Sequence, residues 1–140
     1  MQTSDLLWRQ RITNLMAGQT DNVADSAVSY WSLLAAQIIS IIGEGGFDSL
    51  YARSVYLSQS AYPWLAASSG AARTAHRFSD LKNSLETQTP ALAGEANCLL
   101  LITFTDILAS LVGGPLMGRI LESAWDIDIQ GTADKELTNE

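Results

Sequence analysis

Asp106 holds the most demanding chemical position in the chain. It sits in the apolar run from Cys98 to Val112, where the only other polar side chains are Thr103, Thr105 and Ser110. An ionised carboxylate in such a run needs a cationic partner or a route to water. Arg53 and Arg119 are the candidate partners, so Asp106, Arg53 and Arg119 form a candidate buried polar group. One reading is a small-molecule pocket floored by Asp106 inside a helical bundle. The plainer one, a structural ion pair or a carboxylate on a wetted strip, carries more weight. Glu44 lies in Gly43-Glu44-Gly45-Gly46. Glycines permit left-handed backbone angles and close approach, but a phosphate loop also needs a Gly-Lys-Ser/Thr ending after a strand. A tight helix–helix turn is the expectation there.

His76 is the only histidine. One histidine and one distant cysteine cannot build a zinc site. The pair Ala75-His76 resembles histidine phosphotransfer domains, which would imply a phosphoryl-accepting imidazole on an exposed helix. Those domains want a lysine and a small residue one turn later, whereas this chain has Ser79 and Asp80, and Asp80 would repel a phosphoryl group. Leu81-Lys82-Asn83-Ser84-Leu85 resembles a histidine-kinase dimerisation helix, but Ser79 stands where the phosphorylated histidine belongs. Two half-matches do not make one, and phosphotransfer through His76 stays a minor alternative.

No nucleophile elbow or metal-spaced cluster appears, so no catalytic, cofactor-binding or metal-binding residues are assigned and an enzyme is not expected. Asp21 and Asp25 share a helix face, where capping and solubility explain them. Cys98, the single cysteine, reads as a small buried hydrophobe whose apolar setting raises its pKa. A lone thiol and the lack of a secretory pattern suit a reducing cytoplasm. The aromatic residues Tyr30, Trp31, Tyr51, Tyr56, Tyr62 and Trp64 are the interface candidates. Such residues concentrate at binding hot spots and equally at core rims.

Charge narrows the partners. The net charge is −7, from 8 basic and 15 acidic residues. The basic residues are scattered singly, without the stripe that displaces counterions from nucleic acid or reads an anionic membrane. Neither partner is expected. From Asp126 onward Asp126, Asp128, Asp134, Glu136 and Glu140 face only Lys135, and this acidic tail (126–140) is expected to be disordered.

The elements follow from period and punctuation. The chain has 140 residues, 47% of them hydrophobic, enough for one domain with a core (1–125). Apolar spacing of three and four predicts helices over about 5–16, 21–42, 47–62, 71–86, 91–112 and 115–125. Gly18, the Gly43–Gly46 cluster, Pro63 and Gly113-Gly114-Pro115 punctuate them. In the last helix Leu116, Ile120, Leu121, Ala124 and Trp125 are expected to face inward. The helix over 71–86 should be the most exposed. No repeat of fixed period appears. Residues 96–118 could span a bilayer by length, but Asp106 would cost roughly 2.5–3.5 kcal/mol at its centre and the glycine break falls where a span should continue.

The expected fold is all-α: a single-domain bundle of about five to six helices around a central apolar helix near 91–112. The chain has the general look of small bacterial helical proteins, a likeness that carries no function. The expected role is a non-catalytic protein-interaction or regulatory module, cytoplasmic, that self-associates as a homodimer and binds another cytosolic protein. Helices 21–42 and 91–112 carry more apolar surface than thin neighbours can cover.

Overall fold

The computed structural model describes residues 10–14, 23–65 and 78–125, all of it helix and connecting turn. We number the helices α1 (10–14), α2 (Val23–Ser58), α3 (Ser79–Glu86), α4 (Pro90–Val112) and α5 (Gly114–Trp125). The all-α bundle expected from the sequence is what is seen. His76, the first part of the 71–86 helix and the acidic tail 126–140 lie outside the described residues.

Each boundary has a local cause. Thr89 caps α4: its side-chain oxygen accepts the Leu92 N–H at 3.2 Å, and Pro90 fills the first helical position, where no N–H is needed. Gly113, at φ 96° and ψ 153°, ends α4, its N–H donating to Ala109 O at 2.7 Å. α5 then starts at once at Gly114, one residue before Pro115. α2 is broken only at Gly43, at φ 85° and ψ 165°. The second arm therefore begins at Glu44, earlier than Phe47, because Gly45 and Gly46 take helical angles despite their freedom. This arm also ends sooner than expected, at Ser58. Turns then carry the chain to Leu65, with Tyr62 N–H donating to Ser58 O at 3.0 Å and Gln59 Nε2 to Leu65 O at 2.6 Å.

The core lies between α2 and α4. α4 also packs on α3 and α5, and so does α2. Trp31 is fully buried at the centre, its ring edge-on to Tyr51 (centroids 5.1 Å apart) and to Phe104 (5.2 Å). Phe47 stacks on Tyr51 at 5.9 Å, and Phe78 closes the cluster from the start of α3. Such pairs add about 0.5–1.5 kcal/mol each beyond their buried area. In α5, Met117 takes the inward place expected of Leu116, which is exposed. The first residues of α5 lie past the break, so its inward stripe starts one residue later.

α2 and α4 are long and apolar enough to cross a membrane, with mean hydropathy 1.4 and 1.6 over their most apolar windows. In the fold they pack on each other, and Gly43 interrupts the first.

Both breaks sit in a backbone region that is essentially glycine-only. Gly43→Ala and Gly113→Ala are each expected to cost about 1–3 kcal/mol, although neither new Cβ would meet an atom within 4 Å. Urea unfolding followed by helical circular dichroism checks this.

Candidate functional site

The six aromatic candidates divide into three groups. Trp31 and Tyr51 are core residues. Their place in the inward stripe of α2 withdraws them from any surface, which corrects their reading as interface residues. Tyr30 is half-buried and meets Trp125 edge-on at 5.4 Å, while the Trp125 Nε1–H donates to Tyr30 O at 2.9 Å. Tyr62 and Trp64 pack edge-on at 5.8 Å in the turns after α2, both half-buried. Only Tyr56 stands well clear, 71% exposed.

The polar candidates do not form a buried group. Arg53 and Arg119 are exposed and Asp106 is half-buried. Arg53 and Arg119 fall on outward strips of their helices, and Asp106 on a partly open strip of α4. Glu44 and Gly45 are exposed at the break.

The polar contact that matters most was missed. Asn97 is 1% exposed, and its Oδ1 accepts the Trp31 Nε1–H at 2.9 Å. An indole N–H in a dry core must find an acceptor. A polar residue on the inward stripe of α4, level with a tryptophan on α2, was the available signal. Ser54 and Thr105 satisfy themselves on their own helices, donating to Leu50 O (2.8 Å) and Ile102 O (3.0 Å). Ser58 Oγ is buried without a partner among the described residues.

Two polar clusters lie at the rim. On one side Lys82 Nζ contacts Asp25 Oδ1 at 3.1 Å and Glu86 Oε2 at 4.0 Å. The hydrogen bond to Asp25 raises the lysine pKa first, then the charges of Asp25 and Glu86. All three side chains are well exposed, so the pairs add little stability. They edge a cleft of about 190 Å³ lined by Val23, Ala24, Asp25, Leu85, Glu86, Gln88, Pro90 and Ala93. That is below the roughly 300–1,000 Å³ of small-molecule sites, and Asp106 is not part of it. On the other side Tyr62 Oη donates to Glu95 Oε1 at 3.4 Å. Nearby, Cys98 is half-buried with Sγ 3.9 Å from Thr13 Oγ1. Burial raises the thiol pKa, against a smaller lowering by Thr13. A thiol held neutral is a poor nucleophile.

Among the described residues no group of three or more His, Cys, Asp or Glu could hold a metal ion. Compared with protein families, curated proteins and solved structures, the chain matches none.

Two predictions follow from these sites. Asn97→Ala leaves the Trp31 N–H unpaired and should cost about 1–3 kcal/mol. In a double-mutant cycle Trp31→Phe should recover part of that loss, read by chemical denaturation. Burial, and next the charge of Asp80, raises the Tyr51 phenol above its ordinary value. Burial and Glu95 raise Tyr62, and Lys82 shifts the same way. For groups raised in the folded state, the stability is fully present below the unfolded pKa, about 10. It is lost as pH rises beyond that value. Alkaline unfolding should thus begin near pH ~10, and Tyr51→Phe should flatten it, measured as helical signal against pH.

Proposed function

We propose that this chain is a non-catalytic, water-soluble helical module that works by docking on another protein, a second copy of itself first. The reading rests on one observation. Large apolar side chains stay in water around a core that is otherwise well filled: Leu111 is 67% exposed, Leu33 51% and Ile41 49%, joined by Tyr56, Leu57 and Leu116. Scattered single exposures are ordinary; we read these six, carried by α2, α4 and α5, as surface for a partner, because exposed apolar patches mark interaction sites. Among the described residues the polar groups singled out above are exposed ion pairs and a thiol that burial holds neutral. Covering this surface accounts for the apolar excess of α2 and α4, and a neutral lone thiol fits a reducing cytoplasm.

Light scattering on the purified full chain across micromolar concentrations tests the first step. A dimer mass is expected, falling to a monomer in Leu111→Ser or in Tyr56→Ser while the helical signal stays. A monomer mass at every concentration would overturn self-association.

A further inference from the structure

The breaks at Gly43 and Gly113 are 70 residues apart and share nearly the same backbone angles, φ 85°, ψ 165° and φ 96°, ψ 153°. The likeness extends along both flanks. Before the breaks, Ala27, Trp31, Leu34 and Ile38 are buried, and so are Asn97, Leu101, Phe104 and Leu108, each 70 residues on. After them, buried Phe47, Tyr51, Ser54 and Val55 answer to buried Met117, Leu121, Ala124 and Trp125. Of the buried residues of 23–55, only Ala24 lacks a buried counterpart, Gly94 being half-buried, while buried Ala96, Leu100, Gly118 and Ile120 answer to half-buried Ser26, Tyr30, Asp48 and Leu50. Exposed positions pair as well: Ser40 with Ser110, Ile41 with Leu111, Ser49 with Arg119, Arg53 with Ser123.

Two amphipathic helices brought into phase would match along one helix. They would not stay in phase across a break as well. Packing supplies an independent observation. The short helix of each half leans on the long helix of the other: Thr13 of α1 meets Cys98 of α4, and Lys82 of α3 meets Asp25 of α2. The two long helices run parallel and level. Val23 and Ala93, counterparts at offset 70, line one cleft, and Trp31 lies between Asn97 and Phe104, astride its counterpart Leu101. Parallel helices in equal register are what a two-fold axis along the bundle produces.

We infer that residues 23–55 and 93–125 are two copies of one kinked-helix unit, packed about an internal two-fold axis as an intrachain dimer. Each copy is the docking partner of the other, and the short helices are exchanged between them. The inference rests on burial register and backbone geometry and does not need the proposed function. Of the aligned residues only Ser40/Ser110 and Gly43/Gly113 are identical, so no repeat is visible in the residue types.

Spin-label distances in the full chain test it, with Cys98→Ser as background. One doubly labelled variant carries Ser40→Cys with Ser123→Cys, the other Ser110→Cys with Arg53→Cys. A two-fold axis makes these cross-half distances equal, and coincident distance distributions are expected. Clearly separated distributions in variants that keep the native helical signal would overturn the internal axis. Should Arg53→Cys or Ser123→Cys unfold the chain, Ser40→Cys with Arg119→Cys against Ser110→Cys with Ser49→Cys gives the same comparison. Failure to dimerise in solution would leave this result unaffected, so the two readings fail separately.

Discussion

The structure turns on where the Trp31 indole goes. It is the largest fully buried side chain among the described residues and carries an N–H that cannot stay dry and unpaired. Asn97 of α4 is its acceptor. That bond, with the edge-on contact to Phe104, fixes α2 against α4 in depth and in register. Tyr51, Phe47 and Phe78 then complete a ring cluster around the indole. The other helices pack on the pair thus set.

Filling the centre with aromatic rings sends the chemistry outward. Lys82, Asp25 and Glu86 meet at the rim and share water with their ion pairs. The half-buried Cys98 thiol is kept neutral by its surroundings. A core of this kind holds helices together, and exposed apolar side chains lie outside it, on α2, α4 and α5.

The two glycine breaks make the arrangement compact. A single residue in a region closed to other side chains turns each long helix back along itself without a loop. Because the breaks fall at equivalent points, the two kinked units present matching stripes to one another. Each half covers the apolar face the other cannot cover alone. The outer apolar pair Ile41 and Leu111 repeats with the same offset, so a partner would meet related surface twice.

Much of this could be read from residue order. Helical period, Thr89-Pro90 and the glycine and proline punctuation determined the all-α class and the span of α4, because local propensity and capping act over a few neighbouring residues. They also placed the break after Ile42. Depth was decided only by packing. Tyr51 and Tyr56 look alike in sequence, yet one is core and the other solvent, since helical phase relative to a neighbour is a property of two elements. The same holds for Asp106, whose apolar run reads as burial until its partly open strip is known. It holds for Asn97, ordinary until a tryptophan arrives beside it from 66 residues away. It holds most for the internal pairing of halves, where residue types have diverged while the backbone angles of the breaks and most of the burial pattern agree. Steric fit constrains volume and polarity at each level of the bundle, and many sequences satisfy it.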